Sequence, residues 1–341
     1  MHSQTLIFRC DADPAIGIGH VMRCLALAQT WQASGGRVIF AASELPLGLE
    51  TRLSAEGVEL VQLEVRRGTA EDAAATIQAA RDADAAGLVI DGDAFAAEFL
   101  RILKESGLRI LLIDDFASRE SFPVDLILNP NLGVSNQVYR EKATRALILL
   151  GPNYLPLRRE FTSHKFDREF PDVGRRILVS LGGSDPENLS PQIVRALHDV
   201  DGLEVTVVAG VSYKHSEELE RLSSQKINVV RNRSDMNELM RLSDLAITAA
   251  GGTLWELLYS GCPVMSYARN PVQARVVDLV AQRGAARNLG DTRAFRAAQL
   301  RDAVRLLAGD GALRESMANA GRNLIDGKGA ERVIAAIRTV F

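Results

Sequence analysis

The stretch LIFRCDADPAIGIGHVMR, residues 6–23, decides the fold. A short apolar run, Leu6-Ile7-Phe8, ends in polar residues. A turn with Gly17 and Gly19 follows, and His20 stands where an amphipathic helix should begin. Strand, glycine turn and helix in that order open a parallel α/β sheet. The order also puts an imidazole at the carboxyl edge of the first strand, where open α/β sheets bind their ligands.

The same alternation continues outward. Apolar runs at 37–41, 59–63, 87–90, 109–113, 125–128 and 146–149 are separated by helix-period segments such as 21–33, 70–83 and 94–106. Continuously apolar strands between helices imply a parallel sheet covered on both faces. The pattern breaks at GPNYLPLRREFTSHKFDREFPDVG (151–174), which has no clean period and reads as a connector. It resumes with strands at 176–181, 204–209, 228–230, 245–248 and 264–267, helices at 188–199, 214–223, 236–242, 254–259 and 272–282, and a helical tail from 292 to 341. The expected fold class is therefore α/β, with two Rossmann-like domains in tandem facing each other across a cleft, the GT-B layout. The expected division is 1–155, a connector over 156–174, and 175–341 including the tail, with the return of the last helix, 331–341, to the first domain left open.

Bulk properties agree with two domains. A chain of 341 residues exceeds what one core usually holds. A net charge of −3 provides no basic field, so no nucleic acid is expected as partner. Cys10, Cys24 and Cys262 are odd in number and widely spaced, which fits a reducing cytoplasm better than a disulfide framework or a thiolate metal site. No apolar run approaches the ~20 residues that span a bilayer, so no integral membrane segment is expected. The opening MHSQTLIFRCD lacks the charged-then-apolar order of a signal peptide.

Four motifs carry the chemistry. In Gly17-Ile18-Gly19-His20 the glycines permit close backbone approach, and the third glycine of a dinucleotide fingerprint is replaced by Arg23, which excludes nicotinamide and flavin. A histidine titrates near neutral pH and suits general-base work; the alternative is a packing turn with His20 as a helix cap. Arg23, one turn later, would contact substrate or pair with Asp11 or Asp13, surface pairing being the better expectation for an isolated arginine. Leu181-Gly182-Gly183-Ser184-Asp185 follows an apolar run, and alone it is equally a turn and N-cap. In Thr248-Ala249-Ala250-Gly251-Gly252-Thr253-Leu254-Trp255-Glu256, free N–H groups at Gly252 and Thr253 would hold a diphosphate, and Glu256 would accept ribose hydroxyls or simply complement the helix dipole. Asp91, Asp93, Asp114 and Asp115 lie at strand ends and are mostly expected as caps and turn residues; a metal site lacks ligand spacing. His2, His164, His198 and His215 are expected at the surface or in structural roles.

Together these motifs resemble the UDP-2,4-diacetamido-2,4,6-trideoxy-β-L-altropyranose hydrolases of pseudaminic acid biosynthesis. Relatives of that family are the spore-coat polysaccharide proteins and, more distantly, the GT-B transferase that adds N-acetylglucosamine to lipid I. The strongest piece, FRCDADPAIGIGHVMR, is similar to an opening R-x-D-x(5)-G-x-G-H-x-x-R; VIDGDAF, LLIDDF, DLILNPN, GPNYLPLRREF, LVSLGGSD and ITAAGGTLWELLYSGCPV follow in order. The resemblance implies His20 as catalytic base, activating a water that displaces UDP from the anomeric carbon with inversion and without metal or cofactor. It implies Arg9, Asp11, Gly17, Gly19, Arg23, Asp91, Asn129, Asn131, Tyr154 and Arg158 beside the sugar. Gly183, Ser184, Gly251, Gly252 and Thr253 would meet the phosphates, Glu256 the ribose, and the stretch 231–236, with Met236, the uracil. One departure stands out: the family pattern D-H-Y-G reads Asp91-Gly92-Asp93-Ala94-Phe95 here, without the tyrosine. It keeps open a related UDP-sugar and transfer to an acceptor other than water; separately, a reading from another class is a nucleotide-sugar-binding scaffold that associates with pathway enzymes.

Overall fold

The computed structural model describes residues 4–143, 145–164 and 166–341, so His2 lies outside the described residues. The chain divides into two compact units. The first takes the residues up to Asp13, His20–Arg159 and Gly327–Phe341; the second takes Pro14–Gly19 and Glu160–Asp326.

The first unit is built on seven parallel strands: β1 Thr5–Cys10, β2 Arg37–Ala42, β3 Glu59–Gln62, β4 Ala85–Asp91, β5 Ile110–Ile113, β6 Leu126–Asn129 and β7 Leu147–Leu150. Their order is β3-β2-β1-β4-β5-β6-β7. The chain winds one way from β1 and the other way from β4, so the carboxyl ends of β1 and β4 flank the crevice where such sheets take ligands. Cys10 pairs with Asp91 in that register, which sets Asp91 beside the turn after β1. Ile7, Ile39, Leu88, Ile90, Leu112 and Ile127 pack with Phe95, Phe99 and Leu103 into this unit's core.

The second unit repeats the winding with β8 Arg176–Ser180, β9 Glu204–Ala209, β10 Ile227–Arg231, β11 Leu245–Ala249, β12 Val264–Ala268 and β13 Arg287–Asp291. The order is β10-β9-β8-β11-β12-β13, with the reversal between β8 and β11. Among the described residues no helix is long and apolar enough to cross a membrane.

Three differences from the sequence reading have physical causes. First, the tail does not stay with the second domain: helix Gly329–Val340 belongs to the first unit. Gly329 lies so close to Leu155 that a Cβ would stand 2.1 Å from its carbonyl oxygen. Arg332 Nη1 donates to Asn153 O at 2.8 Å, and the Arg338 guanidinium sits 5.5 Å from the Trp31 ring centre. Second, the aperiodic connector is tied to the second unit from Glu160 onward. Arg168 donates to the carbonyls of Met240 and Ser243, the buried Arg314 donates to Pro171 O, and Gly174 N donates to Ala308 O at 2.8 Å. These bonds run to main-chain carbonyls and leave no trace in hydropathy. Third, β13 and helix Leu47–Ala55 escape pattern reading. RNLGD has no β-branched run and carries Gly290 at φ 89°, and the helix buries only Leu49 and Leu53.

Candidate active site

His20 is the second residue of helix Gly19–Ala33, directly after the glycine turn. Its Nδ1 lies 2.7 Å from Asp91 Oδ1, and the ring is mostly covered, with 14% of the side chain exposed. Arg23, three residues on and on the same helix face, grips the same carboxylate: Nε to Oδ2 at 2.6 Å and Nη2 to Oδ1 at 2.7 Å. Arg23 Nη1 donates to Asp115 Oδ1 at 2.9 Å, and Asn131 Nδ2 donates to that same oxygen at 2.9 Å. A chain of bonded side chains thus runs from Asn131 to the imidazole.

This arrangement decides the tautomer. Arg23 Nη2 also lies 3.2 Å from Nδ1, but a guanidinium only donates. With Asp91 accepting from both, Nδ1 carries the hydrogen and points it at the carboxylate. Nε2 is then the lone-pair nitrogen of the neutral ring, and it bonds no described residue. A base with one nitrogen fixed by a carboxylate and the other free is the arrangement used for proton abstraction.

Charges set the titration. Burial opposes the charge on Asp91, yet Arg23 and then His20 outweigh it and hold the carboxyl down at about 2. Burial also opposes the imidazolium, and Asp91 outweighs that, so His20 sits above its ordinary value. A base so placed works only above its own pKa. The acid limb of kcat/KM should therefore lie above about 6.5, the unperturbed histidine value. In Asp91→Asn the carboxylate's pull is gone and burial remains, so the limb should move below about 6.5 while the plateau falls through loss of the tautomer lock. An unmoved limb in the pH–rate profile would separate Asp91 from the titrating group.

Several residues expected at the sugar are engaged elsewhere. Arg9 is fully buried; Nε and Nη2 bind Asp72, each at 2.8 Å, Nη1 binds Asp11 at 2.8 Å, and Nη2 also binds Ser43 Oγ at 2.9 Å. Asp11 Oδ1 accepts from the amides of Ser43 and Glu44. Arg9 and Asp11 therefore fasten β1 to the loop after β2 and are corrected to structural roles. Asn129 is likewise buried: it donates to Tyr139 OH at 2.8 Å, and Tyr139 donates to Asp114 at 2.5 Å. Its Oδ1 accepts from Asn131 N at 3.0 Å, so it shapes the turn that presents Asn131. Asp91, fully buried, orients His20 and Arg23 and leaves no face for a sugar. Neither Asp11 nor Asp13 pairs with Arg23; Asp13 binds Arg67 at 2.6 Å. Gly17 takes φ 75°, a conformation natural to glycine, and above Gly19 there is open space. Tyr154 ends the short helix Pro152–Tyr154, and Arg158 is buried nearby in sequence. Asp93 is exposed at the end of β4, and His164, His198 and His215 lie on the surface.

In the second unit the two glycine turns differ. After β8, Asp185 accepts from Leu189 N at 3.1 Å and Ser190 N at 2.8 Å, so it caps helix Ser190–His198 and occupies its amides. After β11, helix Gly252–Tyr259 begins at Gly251 with no side-chain cap. The N–H groups of Gly252 and Thr253 meet no partner among the described residues, and open space lies above Gly251 and Gly252. This uncapped terminus, beside the β8/β11 reversal, is suited to an anion. Gly183 and Ser184 lie in the turn after β8, Glu256 one turn into the uncapped helix, and Met236 opens helix Met236–Leu242. Arg269, directly after β12, donates from Nη2 to Leu181 O in the turn after β8, a contact that no sequence motif announces.

No family model matches the chain. A 279-residue stretch, 79% of the chain, is 26% identical to the uncharacterized protein MJ1062 of Methanocaldococcus jannaschii and spans only 56% of that relative. The spore coat polysaccharide biosynthesis protein SpsG of Bacillus subtilis is 30% identical over 252 residues, 72% of this chain and 74% of that one. The UDP-2,4-diacetamido-2,4,6-trideoxy-beta-L-altropyranose hydrolase of Campylobacter jejuni is 24% identical over 270 residues, 78% of this chain and 92% of that one. Among solved structures, MurG of Acinetobacter baumannii superposes with TM-score 0.68 at 17% identity over 99% of both chains. A glycotransferase of kitacinnamycin superposes with TM-score 0.68 at 18% identity over 100% of both. These likenesses bear out the α/β, GT-B fold class read from the sequence. The resemblance read from the motifs holds as well: the chain belongs to the family of SpsG and the UDP-diacetamido-trideoxy-altropyranose hydrolase.

Proposed function

We propose that the chain is a hydrolase of a UDP-linked diacetamido-trideoxy sugar, acting in nonulosonic acid biosynthesis. The observation that carries this reading is the His20–Asp91 pair at 2.7 Å, which leaves Nε2 as a lone-pair base. In the step, the oxygen of a water molecule bonds to the anomeric carbon. The bond from that carbon to the β-phosphate oxygen breaks and its electron pair leaves with UDP. The water proton passes to Nε2, and the anomeric centre inverts. Amides of Gly252 and Thr253 meet the phosphates and Glu256 meets the ribose. Gly183 and Ser184 line the adjacent turn, and the stretch 231–236 accompanies the uracil. Gly17, Gly19, Asn131, Tyr154 and Arg158 remain the residues proposed to face the sugar, with Arg23 positioning Asp91. Amide donors aimed at developing phosphate charge lower the barrier without needing a metal. Family membership and the GT-B fold support the coarser statement, an enzyme acting on a nucleotide-linked sugar.

Transfer to an acceptor hydroxyl would use the same base. The observation in its favour is Asp91-Gly92-Asp93, which lacks the aromatic of the family's hydrolase pattern. Measuring UDP release from UDP-diacetamido sugars, with and without acceptor and with a chelator present, separates the two. The proposal expects release in buffer alone, unchanged by chelator. Release only when an acceptor is added would establish transfer instead.

A further inference from the structure

The turn Leu181-Gly182-Gly183-Ser184-Asp185 is flanked by polar groups that the fold leaves unsatisfied. On the β12 side stands Arg269. Its Nη2 donates to Leu181 O at 2.5 Å, and its Nη1 lies 4.0 Å from where a Cβ on Gly182 would be. Its Nε is buried without a hydrogen-bond partner, and so is Glu187 Oε2, 3.2 Å away but misaligned. The other carboxylate in reach, Asp185 at 3.9 Å, is occupied by the amides it caps. On the β9 side, Ser212 is 8% exposed; its N donates to Gly183 O at 3.0 Å, and its Oγ has no partner. Strand order puts β11 between β12 and β8. To reach Leu181, the Arg269 side chain must therefore pass the end of β11, over the reversal where an α/β sheet takes its ligand.

Arg269 spends one N–H on a carbonyl and stands 3.2 Å from Glu187 and 3.9 Å from Asp185 with 20% of its side chain exposed, yet its buried Nε completes no hydrogen bond, and an unmade buried bond costs free energy, as does an orphaned buried hydroxyl. Acceptor oxygens arriving with a ligand would satisfy both. A phosphate group matches the planar donor fork of arginine better than any neutral group does. We propose that Arg269 is the counter-charge to the diphosphate of the bound nucleotide, with Ser212 Oγ as a second donor. This assignment rests on the nucleotide reading of the same sheet edge. When the bond between the anomeric carbon and the β-phosphate oxygen breaks, negative charge grows on that oxygen, and a fixed guanidinium there speeds departure.

Calorimetric titration with UDP and ligand-observed NMR with uridine test it on wild-type protein and on Arg269→Gln, Arg269→Lys and Ser212→Ala. Arg269→Gln should weaken UDP by about 10–100-fold, in line with loss of a charged hydrogen bond, while uridine affinity stays unchanged. Arg269→Lys should recover part of the loss, and Ser212→Ala should weaken UDP by a smaller factor. Because Arg269 also holds Leu181, the uridine arm reports a merely structural role: equal loss of both ligands would overturn the assignment. So would undiminished UDP binding by Arg269→Gln. Wild-type protein that binds neither ligand would remove the nucleotide reading itself, and this assignment with it.

Discussion

Replacing His20 with alanine is expected to lower UDP-sugar turnover by about 10²–10⁴-fold, the range for loss of a general base, with UDP affinity unchanged. The expectation follows from where the ring is held. Asp91, itself held by Arg23, fixes Nδ1, so the ring cannot swing to another partner, and Nε2 is left to take the proton. Activation of the nucleophile operates in the transition state, so the loss should fall on kcat rather than KM. UDP, proposed to rest on amides of the second unit, should not register the change. Steady-state UDP release paired with calorimetry measures both quantities. Loss of UDP affinity with unchanged turnover would place His20 in nucleotide binding instead.

The largest stability effect is expected from Asp72→Ala, which should cost the first unit about 3–5 kcal/mol, the range for breaking a buried ion pair. Asp72 is fully buried and accepts from Arg9 Nε and Nη2, from Gly68 N at 2.8 Å and from Thr76 Oγ1 at 3.3 Å. Its removal strands the guanidinium of Arg9, which is also fully buried and, among the described residues, retains only Asp11 as a charged partner. Denaturant unfolding read separately for the two units measures this, since a two-unit chain need not melt in one step. A loss below about 1 kcal/mol, the scale of a surface pair, would mean that water reaches Arg9.

Much of the architecture was legible because parallel α/β folding writes itself in hydropathy. The apolar runs at 37–41 and 204–209 lie within a residue of β2 and β9, since each is largely buried. The active-site histidine was legible too, as a titratable residue directly after a glycine turn. Its partners were not. Arg23 was expected to pair with Asp11 or Asp13, its neighbours in sequence, whereas it binds Asp91 and Asp115 from 68 and 92 residues away. The order β1-β4-β5 contains that answer: the strand beside β1 ends in Asp91, and the next strand is followed by Asp114 and Asp115. Reading the topological reversal together with the acidic strand ends would have found the network. Arg9 misled for the opposite reason. An arginine in a family-like motif reads as a ligand contact, but its position within β1 buries it entirely. The return of helix Gly329–Val340 to the first unit depends on Gly329 meeting Leu155, a main-chain approach that no local pattern announces.

Running the reaction in water enriched in oxygen-18 reaches the central claim most directly, because the label records which bond the nucleophile makes. Water activated at Nε2 and delivered to the anomeric carbon puts the heavy oxygen into the free sugar and leaves UDP unlabelled; mass spectrometry of both products should find that pattern. Label in UDP would mean attack at phosphorus, and unlabelled sugar joined to an acceptor would mean transfer; either result would contradict a hydrolase that works through His20.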